Sequence, residues 1–291
     1  MTGEPSGPAL VVGGDSLVGS TLLAHCRGLG MAVEATSRRP GAGGVSFDLA
    51  APDFSFLERR PYAVAYLCAA VTSMQACQAD PALSRRVNVD GTLALMRRLA
   101  AQGTHMVFLS SSQVFDGETP MPDERAPTAP KNVYGQHKLE VEQAIGREGL
   151  PAAVLRVPKV LADRPVGVFK AWFEALSRGE TAEAATNLSL SPVMVGDVAE
   201  ACRRLAAERR DGTWHLGASD EIVYADAARL MAEINGLPAS LVRGAALTEA
   251  QVPGIYRHRH VAMDCSRIAA ALKMPIRPSR AILESLFAGF R

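Results

Sequence analysis

Pro8-Ala-Leu-Val-Val12 runs directly into Gly13-Gly14-Asp15-Ser16-Leu17-Val18-Gly19, and a helical pattern continues from there to Leu29. A short all-apolar run reads as a strand buried on both faces, as in a parallel sheet. A glycine turn between such a strand and a helix brings backbone N–H groups and a helix N-terminus to one point, where a pyrophosphate is stabilised. Strand, turn and helix in this order is the context a dinucleotide fingerprint requires. Gly13, Ser16, Leu17, Val18 and Gly19 are therefore candidate phosphate-binding residues. Ser16 stands where the usual pattern has its middle glycine: its Cβ crowds the phosphate, while its hydroxyl offers a donor. The competing reading is a nucleotide site that has decayed.

Met31-Ala-Val-Glu-Ala-Thr36 reads as the second strand. At its end, roughly 20 residues past the glycines, an NAD site carries an acid for the ribose 2′-hydroxyl. This chain has Ser37-Arg38-Arg39 there. Two guanidiniums and a hydroxyl suit a 2′-phosphate through charge-assisted, forked hydrogen bonds. NADP(H) is thus the expected cofactor, with NAD(H) as the alternative and an ordinary basic loop as the plain reading. Val45-Ser-Phe-Asp48-Leu49 is a short strand, and Asp48 either accepts from an adenine amino group or closes a turn.

Tyr62 to Cys68 is a further strand, running into Ala69-Ala70-Val71-Thr72. Small residues after a strand let a cofactor ribose approach the backbone. A long helix is expected from Asp80 or Pro81 to about Leu99, with Asn88 bridging it to a strand. His105-Met-Val-Phe-Leu109 is the next strand and ends in Ser110-Ser111-Ser112-Gln113-Val114-Phe115-Asp116-Gly117. Strands alternating with helical patterns predict an α/β fold, a Rossmann-type doubly wound parallel sheet. Ligands on such sheets bind beyond the carboxyl ends of the strands, and Gly13, Ser37, Ala69 and Ser111 all fall there.

Tyr134-Gly-Gln-His-Lys138 opens another helical pattern, continued by Leu139, Val141, Ala144 and Ile145. Residues four apart on a helix share a face. A free phenol has a pKa near ~10, and a neighbouring ammonium is expected to lower it. Such a phenol serves as a general acid or base.

Taken together, these residues resemble the extended short-chain dehydrogenase/reductases, closest to the dTDP-4-dehydrorhamnose reductase branch. The resemblance rests on the glycine turn, the strand-end serines, Val114-Phe115-Asp116-Gly117 and Val133-Tyr134-Gly135-x-x-Lys138-Leu139-x-x-Glu142. Leu155-Arg156, Asp197-Val-Ala-Glu-Ala201, Gly212 to Gly217 and Met263-Asp264-x-Ser266-Arg267 extend it nearly end to end. It implies Tyr134 as proton donor to a substrate carbonyl, Ser111 as its polarising partner, and Lys138 on both Tyr134 and the nicotinamide ribose. It implies a nucleotide-sugar substrate, with Val71, Ser112, Gln113, Lys159, Arg257 and Arg259 as candidate contacts. Besides Ser16, the departures from the branch are Ser112-Gln113 in place of Asp-Tyr and Lys159 in place of a Trp. A non-catalytic nucleotide-binding subunit resembling the methionine adenosyltransferase β subunit is the alternative, as is a nucleotide-sugar epimerase. Dehydration is disfavoured, because Ser112 and Gln113 offer no acid beside Ser111.

The expected division is a dinucleotide-binding domain over residues 1–156 with about 192–217, and a smaller C-terminal α/β substrate-binding region over about 157–191 with 218–291. Residues 1–7 read as a frayed start. In the second half, Val168 to Leu176 predicts an amphipathic helix whose Trp172 and Phe173 are core or a lid face. Thr186 to Val195 is expected to return toward the sheet. Helices are expected from Gly196 or Asp197 to about Ala207 and from Val223 to Gly236, and a short strand at Leu241-Val-Arg243. Arg257 and Arg259, with His258 and His260, form either a diphosphate clamp or a solvated loop.

The 291 residues carry a formal net charge of +1 with 48% hydrophobic residues, so nothing predicts a nucleic-acid partner. No apolar run reaches transmembrane length and no signal peptide is read, which predicts no membrane partner. Five scattered cysteines without a Cys-x-x-Cys pair predict neither zinc nor disulfides, and suggest a reducing, cytoplasmic compartment. A homodimer is compatible with this reading, and no metal is expected.

Overall fold

The computed structural model describes residues 7–39 and 44–290. Of the frayed start read at residues 1–7, residues 1–6 lie outside the described residues. In chain order the first half forms β1 (Ala9–Val12), α1 (Leu17–Gly28), β2 (Val33–Ser37), β3 (Val45–Ser46), β4 (Val64–Leu67), α2 (Met74–Ala79), α3 (Pro81–Arg85), α4 (Thr92–Ala101), β5 (His105–Ser111), α5 (Val133–Glu148) and β6 (Ala152–Val157). There follow β7 (Lys159–Leu161), α6 (Gly167–Ser177), β8 (Ala182–Ala185), β9 (Ser189–Leu190), β10 (Pro192–Met194), α7 (Val195–Ala207), β11 (Gly212–His215), β12 (Ile222–Val223), α8 (Tyr224–Ile234), β13 (Val242–Ala245), α9 (Ser266–Leu272) and α10 (Ser279–Phe287).

Seven strands form one sheet in the order β11-β6-β5-β4-β1-β2-β3. β1 pairs in parallel with β2 on one side and β4 on the other. β4, β5 and β6 continue in parallel register. Every residue of β1, β4, β5 and β6 is buried, which is why these strands read as apolar runs rather than alternating ones. The strand order reverses at β1, so the loops after β1 and β4 diverge there and leave a crevice. Their backbones start close together. Gly13 has φ +85°, and a Cβ on it would stand 2.8 Å from that of Ala69, so only glycine fits.

The long helix expected from residue 80 to 99 is present but interrupted. Between α3 and α4 the segment Arg86–Gly91 makes a π-turn. Asn88 sits in it, 2% exposed. Its Oδ1 accepts from Val71 N at 2.8 Å and its Nδ2 donates to Val71 O at 3.0 Å. The expected bridge from helix to strand end is thus a pair of hydrogen bonds to one residue. π-turns recur at functional sites because the extra residue re-aims a side chain.

The chain forms two compact units. One takes the chain up to Phe115, then Pro127–Val157 and Gly196–Trp214; the other takes Asp116–Ala126, Pro158–Val195 and the chain from His215 onward. The first is built on the large sheet, with a core that includes Leu10, Leu67, Met96, Phe108 and Val154. The second holds three two-stranded pairings, β7 with β10, β8 with β13 and β9 with β12. Its core gathers Phe169, Trp172, Met231, Phe287 and Phe290. Trp172 is a core residue whose Nε1 donates to Glu183 O at 2.8 Å, and Phe173 packs edge-on against Phe290. One expectation fails: the segment 186–195 does not rejoin the seven-stranded sheet. β9 and β10 pair with β12 and β7 instead. Runs of two and three residues carry too little pattern to specify a partner strand.

Candidate active site

The crevice at the sheet's reversal holds a cavity of about 360 Å³, within the size range of small-molecule pockets. Val12, Gly13, Asp15 and Ser16 line it from β1 and the glycine turn; Thr36 to Arg39 from the end of β2; Phe47 to Leu49 after β3; and Ala69 to Ser73 after β4. Most of the expected cofactor residues therefore meet in one place: Gly13, Ser16, Ser37, Arg38, Arg39, Asp48, Leu49, Ala69 and Ala70. Val71, expected on the substrate side, lines the same cavity. Leu17, Val18 and Gly19 are not among its lining residues. Leu17 is exposed at the start of α1, and Gly19 is packed so close beneath the turn that a Cβ would stand 2.1 Å from Gly13 O.

The glycine turn is fastened internally. Gly13 N donates to Thr36 Oγ1 at 3.2 Å and Gly14 N to Thr36 O at 2.8 Å. Thr36 was not singled out by sequence; its only signal was its place at the tip of the second strand. Ser16 is the N-cap of α1. Its hydroxyl donates to Gly13 O at 2.8 Å and accepts from Gly19 N at 3.0 Å. The hydroxyl that sequence offered to a phosphate is thus already committed to the turn, and it occupies one of the orphan N–H groups of the helix start. Asp48 Oδ1 accepts from Ala50 N at 2.9 Å, so it closes a turn while lining the cavity.

The second group stands where β5 ends and α5 begins. Ser111 terminates β5, 7% exposed, with its Oγ accepting from Gln113 N at 3.2 Å. α5 starts at Asn132, whose Oδ1 caps Gly135 N at 2.9 Å while its Nδ2 donates to Gln113 Oε1 at 2.8 Å. A Cβ on Gly135 would stand 2.1 Å from Gln113 O, so glycine there lets the helix lie against the serine loop. Tyr134 is thereby brought within hydrogen-bonding reach of the Ser111 side chain. Asn132 was missed in the sequence, although an Asn immediately before a helical pattern is an N-cap signal. The β4–α2 segment links this group to the cavity: Cys77 on α2 donates its Sγ–H to Val71 O at 3.3 Å and is close enough to Tyr134 to act on its phenol.

Burial pushes the Tyr134 phenol above its ordinary value, the nearby Cys77 adds to the rise, and the Ser111 hydrogen bond opposes it. This corrects the expectation that Lys138 lowers it. The Lys138 ammonium lies 5.8 Å from the Tyr134 ring centre but donates to Leu109 O at 2.7 Å and sits 4.6 Å over the Phe108 ring. Helical spacing placed both residues on one face, but not the tip of a four-carbon stem. Lys138 is itself 4% exposed, and burial lowers it to about 8, with Cys68 and Glu142 opposing. Burial also holds the Cys68 thiol up, at about 12. Arg156, buried on β6, donates from Nη2 to Glu142 Oε2 at 2.6 Å, and Ser110 hydrogen bonds Glu142 as well. The buried ion pair ties β6 to α5, and the Ser110 bond ties the end of β5 to the same helix.

The remaining substrate candidates are less concentrated. Ser112 is buried and Gln113 half-buried in the loop after β5. Lys159, Arg257 and Arg259 belong to the second unit. Lys159 is exposed at the start of β7, and Arg259 is exposed in its loop. Arg257 is held by Glu249 and donates to Leu247 O at 3.3 Å. Among the described residues, no group of three His, Cys, Asp or Glu is placed to hold a metal ion. All five cysteines are free and buried.

The class this architecture defines is the Rossmann-type α/β protein, with a parallel sheet whose strand order reverses at β1. Within it, the chain belongs to the family described as RmlD substrate binding domain, which matches residues 8–291. Among curated proteins, methionine adenosyltransferase 2 subunit beta of Pongo abelii is 30% identical over 218 residues, covering 72% of this chain. The chain spans only 64% of that relative's length. The probable low-salt glycan biosynthesis reductase Agl14 of Haloferax volcanii is 27% identical over 233 residues, 77% of each chain. Among solved structures, dTDP-4-dehydrorhamnose reductase of Bacillus anthracis in complex with NADP superposes with a TM-score of 0.84 at 17% identity, covering 97% of this chain and 98% of that one.

Proposed function

We propose that the chain is an NADP(H)-dependent reductase of a 4-keto-6-deoxysugar carried on a nucleotide, or of a related carbonyl compound. The observation that carries this reading is the placement of the Tyr134 phenol, at the start of α5, within hydrogen-bonding reach of Ser111 at the end of β5. A protonated phenol is a donor at rest, which is what reduction of a carbonyl demands of its general acid. The cavity's residues suit a dinucleotide: a glycine turn for the pyrophosphate, small residues at Ala69 and Ala70 for a ribose, and Arg38 with Arg39 toward a 2′-phosphate. When bound there, the nicotinamide supplies a hydride to the carbonyl carbon. Tyr134 gives its proton to the carbonyl oxygen, and Ser111 polarises that oxygen by donating a hydrogen bond. Lys138 orients the cofactor ribose and restores charge balance after the proton has left. NAD(H) is the secondary cofactor. The reductase names of the Haloferax and Bacillus proteins support this reading. Five buried free thiols suit a cytoplasmic enzyme. Among the described residues, no helix is long and apolar enough to cross a membrane.

A second reading is a nucleotide-binding subunit without turnover, favoured by the 30% identity to methionine adenosyltransferase 2 subunit beta. Incubation with NADPH and dTDP-4-dehydrorhamnose separates the two. On the reductase reading the wild type consumes NADPH, and Tyr134→Phe loses about 10²–10⁴-fold in kcat while keeping its NADPH affinity. Intact NADPH binding with no turnover of any nucleotide-linked keto sugar would overturn the reductase reading. Co-purification with a methionine adenosyltransferase catalytic subunit would then establish the other.

A further inference from the structure

The charged residues around the cavity do not add up to a cationic site. Those lining it are Arg38, Arg39, Asp15 and Asp48, two of each sign. Asp15 is the third residue of the glycine turn, and its Oδ2 lies 3.4 Å from Arg39 Nε. Arg38 makes no ion pair among the described residues. The two guanidiniums that sequence offered together to a 2′-phosphate are therefore in different states, one engaged by an acid and one not.

We propose that Asp15 sets the coenzyme preference: it occupies Arg39 and fixes a negative charge beside the 2′-phosphate position, leaving Arg38 as the phosphate-reading cation. This rests on the reading of the cavity as the adenosine end of a dinucleotide site. The ion pair itself is weak, because the Arg39 side chain is 79% exposed and exposed pairs gain little. Breaking the pair does not put the full Arg39 charge at a phosphate's disposal, because the Asp15 carboxylate stays on the glycine turn and offsets it. A 2′-phosphate enters against the carboxylate's charge, whereas a 2′-hydroxyl is indifferent to it or donates to it. The wild-type site consequently favours NADPH over NADH only modestly, within about tenfold.

The test is a fluorescence titration of NADPH and NADH against the wild-type chain, Asp15→Asn, Arg38→Ala, Arg39→Ala and the Asp15→Asn/Arg39→Ala pair. Asp15→Asn is expected to tighten NADPH about tenfold, the effect of removing one unit charge at several ångströms, and to leave NADH within about twofold. The gain should shrink as salt is raised. Arg39→Ala should cost NADPH little in the wild type and clearly more in the Asp15→Asn background, while Arg38→Ala is costly in both. Unchanged or weakened NADPH binding by Asp15→Asn, in a variant with wild-type circular dichroism, overturns the inference alone. A wild-type chain that binds neither coenzyme, or loses both equally in Arg38→Ala, overturns the reading of the cavity and the inference with it.

Discussion

Lys138 Nζ donates to the carbonyl oxygen of Leu109 at 2.7 Å. Leu109 is two residues before Ser111 on β5, so the lysine of α5 is fastened to the strand that delivers the serine. Lys138 thus acts as a strut between two elements.

This anchorage has a cost that depends on pH. Burial holds the Lys138 ammonium down from 10.5 to about 8. A lysine with a depressed folded pKa opposes folding below that value, and the opposition fades as pH rises toward its unfolded pKa. Relative to wild type, Lys138→Met should therefore look most stable near neutral pH and lose about 2–3 kcal/mol of that relative standing between pH 7 and 10. The orphaned Leu109 carbonyl penalises the variant at every pH, so it shifts the difference without changing its slope. Urea unfolding of both proteins across that range measures it; a flat difference would mean that Lys138 is not desolvated.

Ser16 offers a gain of function. Its hydroxyl is spent on Gly13 O and Gly19 N. Ser16→Gly removes the Cβ and frees the Gly19 N–H for a phosphate, while glycine costs an N-cap only a few tenths of a kcal/mol. NADPH should bind several-fold tighter, roughly 1 kcal/mol, with a nearly unchanged melting temperature. Ser16→Ala keeps the Cβ, loses the cap at about 1 kcal/mol, and should gain less affinity. Calorimetric titration of the three proteins decides it, and weaker binding by the glycine variant would show that the serine serves the phosphate after all.

Asn88 offers a loss of function at a distance. Both of its amide atoms are used by Val71, in a π-turn where the side chain is buried. Asn88→Ala leaves the Val71 N–H without its partner and the Val71 carbonyl with only the Cys77 thiol, and should cost about 1–3 kcal/mol. Asn88→Asp keeps the acceptor but turns a second oxygen toward Val71 O, so it should be at least as destabilising near pH 7 and recover in acid. Thermal melts at pH 7 and pH 5 check both. Because Val71 lines the cavity, coenzyme affinity should fall along with stability.

The parallel sheet and the meeting of Gly13, Ser37 and Ala69 beyond its strand ends were legible in the residues. Buried parallel strands are written as unbroken apolar runs, and turns are punctuated by glycine, both of which are local properties. The same local grammar identified Tyr134 and Lys138 as one helix face. It was silent on β9 and β10, whose few residues can satisfy several partners.

What the chain's order of residues could not contain is how far apart distant residues end. Whether Lys138 acidifies Tyr134, whether Ser16 is free to meet a phosphate, and whether Arg39 stands alone are questions of ångströms between groups. The folded chain decides all three. Lys138 is drawn to the Leu109 carbonyl, Ser16 is used up by its own turn, and Arg39 meets Asp15. Sequence settled which chemical groups gather at the crevice, because apolar periodicity and glycine placement fix the backbone. Tertiary structure settled the state each group is in, because protonation and hydrogen bonding answer to burial and to the nearest neighbour.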